Sequence, residues 1–524
     1  MPRDNNEKGT SMGVQRTGAA LFCAALTMSV SACTSGDNDA AVTTAAAPAV
    51  AEKKPRFRSA KAISSICAVD EAPMTFPGFK EVPGREVAEM PPPFVRMMSL
   101  GADRPMVETD AERVAPGYTL IETFTEKDSF LINNDREIVA VLENNHLPML
   151  TEILPNGHRI VESNRYSDRF ADAGGYTGCL EEYDEHGNLI WQLNLAADDY
   201  SAHHDFAILP NGNILAITWE SVTAEEAIAQ GRDPETVPAD GDFWYDGVIE
   251  IDPYNAEIVW EWSVRHHMIQ EFDPAKENYG VVADHPERWD INKYIPSFVT
   301  GEISADWAHF NAIDYNAELD QILLSSNFHG EFYIIDHSTT PYESAGHKGG
   351  RYGKGGDILY RWGNPANYNR GTKEDQRLWG QHDVQWIREG LNGAGNLLMF
   401  NNGGRDRPWS TVLELAPPMN PDGTYVLNDG EPYGPIDMAW TYDPEPPEKF
   451  FSFFVSGVQR LPNGNTLINQ GAGAKVREVT AGGEIVWEYR YTDYDVPPDG
   501  MFRANKYPPD HPGVLKIIAA QQQR

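Results

Sequence analysis

The run His203-His204-Asp205-Phe206-Ala207-Ile208-Leu209-Pro210-Asn211-Gly212-Asn213-Ile214-Leu215 decides the fold. Two β-rich stretches flank Leu-Pro-Asn-Gly, where Pro bends the chain and Asn-Gly supplies the positive φ of a tight hairpin. The phrase LPNG occurs again at Leu154 and at Leu461. A second hairpin follows each time, in EYDEHGNLIWQLNL, EIDPYNAEIVWEWSV and EVTAGGEIVWEYRY, and ends in an aromatic strand. Weaker copies fill the gaps: NAIDYNAELDQILLSSN with GDILYRWG, and VQWIREGLNGAGNLLMFNNG with DMAWTYD. Each unit therefore supplies about four strands without intervening helices, the pattern of a β-propeller.

Aligned on the hairpin, Met149, His204, His309, His382 and Ser456 occupy one position in five successive units. The strands of SFLINNDREIVAVLE, before Met149, and of GMFRANKYP, near the end, are left over. They predict a sixth blade shared between the two ends of the chain. The expected fold is thus all-β, a six-bladed propeller over 117–524. A stretch around 266–305, rich in His, Asp, Pro and Trp, is expected to cap one face.

The N-terminus reads as an address. Arg16 precedes an apolar stretch from Ala19 to Val30 that ends in Val30-Ser31-Ala32-Cys33, a lipobox too short in its apolar part to stay as a membrane span. The reading is a lipoprotein signal over 1–32 with lipidation at Cys33, a flexible Ala- and Thr-rich tether over 33–60, and a segment of unassigned role over 61–116. The expected location is the cell envelope, lipid-anchored, facing the periplasm or in the outer membrane. Cys67 and Cys179 are then the two remaining thiols, and spacing leaves their pairing open.

The 524 residues carry 42 Lys+Arg against 78 Asp+Glu, a formal charge of −36. No basic run offers a surface to nucleic acid or to anionic lipid, since such binding depends on clustered Lys and Arg. Membrane contact is therefore expected through the lipid anchor alone. A small anion would need positive groups gathered locally, with the acidic rim screened over ~8 to 10 Å.

In a propeller the first strand of each unit lines the central channel, so His204, His309 and His382 should converge there. His203, Asp205, Trp307, Asn311, Gln381 and Asp383 surround them in sequence, as does the FNNGGRDRP stretch with Arg405. Asp205 and Asp383 also suit turn caps. Converging imidazoles serve as nucleophile and hydrogen-bond donors toward sulfuryl or phosphoryl groups, or as ligands to iron, manganese or zinc. Composition and spacing leave both open.

The runs HHDFAILPNGN, DWAHFNAIDYNAELDQILLSSNF, GGDILYRWGNP, GQHDVQWI, VREVTAGGEIVWEY and FRANKYPPDHPG resemble the bacterial aryl-sulfate sulfotransferases, over about residues 117–517. The resemblance implies a six-bladed, periplasmic or membrane-anchored enzyme without a nucleotide sulfate donor or other cofactor. It would move a sulfuryl group from a phenolic sulfate ester to a phenol through a sulfohistidine. His382 would be the nucleophile, and His204 and His309 would hold sulfuryl oxygens or protonate the leaving phenolate. Relatives carry an Arg where this chain reads Ser326-Asn327-Phe328-His329. Arg405 or His329 is expected to supply that charge, and Asn327, Asn311, Trp307, Trp362 and Phe328 to line the substrate. The partners are small molecules, with a homodimer left open. Two other readings stand beside this one: a propeller metalloenzyme with His204, His309 and His382 as ligands, and a non-catalytic binding lipoprotein.

Overall fold

The computed structural model describes Cys67 and residues 106–523, apart from 165–168, 171–172, 239–240, 294–302, 405–406, 447–449 and 492–499. The signal, Cys33, the tether and Arg405 lie outside the described residues.

Six antiparallel sheets succeed one another around a ring. The second blade comprises Pro148–Ile153, Arg159–Asn164, Gly178–Tyr183 and Leu189–Asn194. The third comprises Tyr200–Ile208, Ile214–Thr223, Asp242–Asp252 and Glu257–Ser263, with Ala196–Ala197 as an added edge strand. The fourth is Phe310–Asn316, Gln321–Ser326, Glu331–Asp336 and Tyr360–Trp362; the fifth is His382–Trp386, Leu397–Asn401, Thr411–Leu415 and Trp440–Tyr442. The sixth is Gly457–Arg460, Thr466–Gln470, Lys475–Val479 and Ile485–Arg490. The first is shared, as expected: Asn505–Tyr507, from the chain end, pairs with Tyr118–Ile121, followed by Ser129–Ile132 and Ile138–Leu142. The register Tyr118↔Tyr507 and Leu120↔Asn505 closes the ring.

Each LPNG phrase joins the first and second strands of its blade. Gly157, Gly212 and Gly464 alone take positive φ (96°, 88° and 87°). The preceding Asn instead accepts, through Oδ1, the backbone N–H two residues on, in His158, Asn213 and Asn465 (2.9, 3.0 and 3.1 Å). The turn thus uses Gly for conformation and Asn for a side-chain bond.

Middle strands such as Gln321–Ser326, Glu331–Asp336 and Leu397–Asn401 are buried along their whole length, because both faces of a blade meet a neighbour. Successive side chains alternate between the two faces. Ile322 and Leu324 pack with Leu215 and Ile217 of the third blade, whereas Leu323 packs with Leu397 and Met399 of the fifth. Leu398 and Phe400 in turn meet Val458 and Ile468 of the sixth. Three further clusters complete the ring. Outer strands such as Leu189–Asn194 are half exposed, with Leu189 and Ile190 at the surface.

Polar latches tie the first strands together. Asp205 accepts from Ile313 N (3.0 Å), Asp314 from Trp386 N (2.8 Å), Asp383 from Val458 N (2.7 Å) and Gln459 from Lys506 N (2.7 Å). Asp205 and Asp383 are therefore blade-to-blade latches, not turn caps. Residues ahead of Tyr118 also dock on the sixth blade, where Ala115 N donates to Glu478 (2.6 Å). Cys67 and Cys179 form a disulfide that fastens the N-terminal segment to the third strand of the second blade.

Candidate active site

The first strands carry an irregularity where they begin. His204, His309, Asp383 and Ser456 all take positive φ (65°, 53°, 53° and 95°), a region that costs non-glycine residues energy and recurs at functional sites. Register shifts accompany it in the third, fourth and fifth blades. The rings of His204 and His309 come within 4.5 Å of each other, centroid to centroid. His382 lies close enough that His309 contributes to lowering its affinity for protons, and His382 does the same to His204.

His382 is held from two sides. Its Nδ1 lies 3.0 Å from the Gly380 carbonyl and 2.9 Å from Asn402 Oδ1. Asn402 Nδ2 donates to the carbonyls of Ser452 and Val455 (both 2.8 Å), so its amide is oriented and Oδ1 can only accept. Nδ1 of His382 must then carry the hydrogen, which leaves Nε2 with the lone pair. Burial pushes the ring down to about 3, so it is neutral. Blade four braces the same turn: Asn327 Nδ2 donates to Gly380 O (3.2 Å) and Asn311 Nδ2 to Gln381 O (2.7 Å). Gln381 Nε2 reaches Ser325, Ser326 and Glu331.

His309 has a different support. Its Nδ1 bonds Asp306 Oδ2, and Phe328 stacks on the ring at 4.6 Å. Asp306 reaches this place because Ser304–Trp307 runs along the third blade, with Trp244 N donating to Ala305 O (2.8 Å). Behind His204, His203 Nδ1 faces His204 Nδ1 at 2.8 Å, so one donates to the other, and His203 stacks on Trp219 at 3.8 Å. His203 Nε2 is 3.4 Å from Asp246 Oδ1. Burial, then the Asp306 charge, pushes the Asp246 carboxyl up. Burial likewise holds His203 and His204 well below the usual imidazole range. Gly175 covers the far end of the His204 ring: at φ 82° its missing Cβ would lie 2.0 Å from Nε2.

Arg503, from the FRANKYP stretch, links the closing strand to two of the latches. It donates to Asp205 (3.2 and 2.8 Å) and pairs with Asp383 at 3.0 Å. Its charge contributes to the lowering of His382.

Several expectations change. His204 and His382 are neutral through burial, so they do not supply the locally gathered positive charge that a small anion would need. His329 cannot replace the missing cation: it is buried, donates to or accepts from Tyr333 OH at 3.0 Å, and is pushed down to about 3, mainly by burial. Trp307 packs among Phe243, Tyr245 and His329 with Nε1 on Lys293 O, and Trp362 bonds Pro435 O; both are core residues. Asn311 and Asn327 brace the His382 turn. Asn402, Asp306, Asp246, Gly175 and Arg503 carry parts of the site that were not singled out from sequence, although Asp306 stands three residues before His309.

The arrangement offers one neutral, directed imidazole nucleophile beside a second imidazole backed by a carboxylate. Among the described residues, His204, His309 and His382 are not a set whose ligand atoms gather within 4.8 Å, which gives the metalloenzyme reading no geometric support. The family model for arylsulfotransferase (ASST) matches residues 107–506. The chain belongs to the arylsulfotransferase family. An ASST-like function on small-molecule substrates comes with that membership. No curated protein matches the chain. Among solved structures, a Bacteroides caccae protein of unknown function is 12% identical with a TM-score of 0.40, covering 75% of this arylsulfotransferase-family chain and 99% of that one. Virginiamycin B lyase from Staphylococcus aureus is 11% identical with a TM-score of 0.34, covering 74% and 89%.

Proposed function

We propose that this protein moves a sulfuryl group from a phenolic sulfate ester to a phenol acceptor through an N-sulfo intermediate on His382. The observation that carries the reading is the Asn402–His382 hydrogen bond, which presents a neutral Nε2 lone pair. In the first half-reaction Nε2 forms a bond to sulfur as the bond from sulfur to the phenolic oxygen breaks. The departing phenolate takes a proton from His309, whose Nδ1 is held by Asp306. In the second half, His309 accepts the acceptor's phenolic proton while that oxygen attacks sulfur and frees His382. The cycle is ping-pong and returns every proton. His204, with Nδ1 on His203 and Nε2 against Gly175, packs beside His309 and positions that ring, and Phe328 offers a face to an aryl ring. Removing one oxyanion partner typically costs ~100 to 1000-fold in rate.

The test is incubation with chromogenic aryl sulfates and a phenol, together with intact mass after donor alone. Phenolate release and a sulfuryl adduct that disappears in His382→Ala are expected. No release with any of a panel of donors would end the proposal; an adduct surviving in His382→Ala would move the nucleophile to another histidine. We also propose that Cys33 is lipidated and holds the protein in the cell envelope. Metabolic labelling with a fatty acid, lost in Cys33→Ser, tests this.

A further inference from the structure

Away from the axis, the chain between Glu331–Asp336 and Tyr360–Trp362 folds back over the outer strand of the third blade. Ser344 Oγ donates to Glu261 O (2.6 Å), and Trp262 Nε1 donates to Gly356 O (2.8 Å). This docking brings His347 and Asp357 to His267, which follows the strand Glu257–Ser263. His267 Nδ1 and His347 Nδ1 each stand 2.8 Å from the same atom, Asp357 Oδ1. The three ligand atoms lie within 4.8 Å of one another.

The other nitrogen of His267 decides what this cluster wants. Nε2 is 2.8 Å from the Ser344 carbonyl, which can only accept, so Nε2 carries a hydrogen. In the neutral ring, Nδ1 then points a lone pair at a carboxylate oxygen, a repulsive approach at that distance. A positive centre there removes the conflict: a second proton on His267 would do so for that ring alone, whereas one divalent cation does so for both imidazoles at once. Pinning the far N–H of an imidazole on a backbone carbonyl is also how ligating histidines are commonly oriented. Trp262 stacks on the His267 ring at 5.7 Å and holds its plane. His267 and Asp357 are buried, whereas the His347 side chain is 42% exposed, which leaves an entry side and room for water as a further ligand.

We propose that His267 Nδ1, His347 Nδ1 and the Asp357 carboxylate bind a divalent first-row cation of the zinc class, clamping the Ser344–Asp357 segment of the fourth blade to the third. Two imidazoles and one carboxylate suit zinc or cobalt better than calcium or magnesium, which prefer oxygen. The second histidine-containing cluster, His146 with Cys179 and Glu181, is unsuited because Cys179 is in the disulfide.

The full-length protein, stripped with a chelator, is titrated with Co²⁺ followed by visible absorbance, and with Zn²⁺ against a competing dye. One equivalent per chain is expected, together with a rise in Tm on adding Zn²⁺. In His347→Ala, with metal-free unfolding of the same variant as the reference, Zn²⁺ affinity should fall about 10- to 100-fold and the Tm rise should vanish. His382→Ala should bind as wild type does. The proposal is overturned by substoichiometric binding in wild type, by undiminished binding in both His347→Ala and Asp357→Asn, or by a site lost only when His204, His309 or His382 is changed.

Discussion

Asn402 Oδ1 accepts from His382 Nδ1 at 2.9 Å, and two backbone carbonyls fix the amide so that it cannot turn over. One side chain thereby sets the tautomer of the proposed nucleophile. Asn402→Ala leaves Nδ1 with Gly380 O alone and should lower kcat about 10- to 100-fold, the range of one lost buried hydrogen bond. The KM for the donor should change little. Asn402→Asp is more diagnostic: a carboxylate there favours the imidazolium, so the acid limb of the rate profile should move to higher pH. Steady-state phenolate release as a function of pH reads both variants.

Gly175 is required by what faces it. Its φ of 82° and the Nε2 of His204 where a Cβ would stand leave no room for a side chain. Gly175→Ala should displace the His204 ring, lowering transfer activity at least tenfold while costing roughly 1–3 kcal/mol of stability. A variant with wild-type turnover would show that His204 is not held by this contact.

The blade count was legible because LPNG and the aromatic strand recur at the same place in the second, third and sixth blades, with weaker copies in the fourth and fifth, and the split first blade follows from the leftover strands at each end. His204, His309 and His382 were legible for the same reason. Arg503 and Gly175 were not, because each acts across a blade boundary: Arg503 reaches Asp205 through a sequence separation of 298, and no local pattern announces such a partner; Asn402 reaches His382 within one blade, but from the next strand, 20 residues on. His329 misled because a histidine beside a site reads as a cation until its burial is known. Trp307 misled similarly, since an aromatic near the axis in sequence can still face between blades.

Arg503 holds the closing strand to two carboxylates, with its own side chain almost wholly buried. Removing only the cation strands Asp205 and Asp383 in a low-dielectric setting. Arg503→Met should therefore cost roughly 3–5 kcal/mol in chemical unfolding. Adding Asp205→Asn and Asp383→Asn should recover part of that loss, because Asn can still accept from Ile313 N and Val458 N. A triple variant less stable than Arg503→Met would contradict this account.

His337 links the third and fourth blades, with Nε2 on Glu250 (3.1 Å) and Nδ1 on Asp320 (2.7 Å). Burial opposes its charge, but the two carboxylates prevail and raise it to about 9. A raised value means the folded state holds the proton more tightly than the unfolded chain. The stabilisation is complete below about 6.5 and drains away as pH rises through about 9. Thermal unfolding of wild type and His337→Gln should differ most near pH 6, by on the order of 2–3 kcal/mol, and converge near pH 10. A gap that stays constant from pH 6 to 10 would locate the stabilisation elsewhere.

The donor half-reaction isolates His382 from the proton chemistry around it. With an acidic leaving phenol, such as a nitrophenyl sulfate, the departing oxygen needs no proton, so only the nucleophile's protonation should govern adduct formation. Burial lowers His382 to about 3, so its lone pair is free throughout the neutral range and is lost only in strong acid. Single-turnover formation of the sulfuryl adduct should be flat from pH 5 to 8. With a poorly acidic leaving phenol, His309→Ala should slow the same measurement while leaving the nitrophenyl donor little affected, because the departing oxygen then needs a proton donor. A fall in rate below pH 6.5 with the acidic leaving group would mean that the attacking imidazole is exposed and ordinary, and His382 is neither.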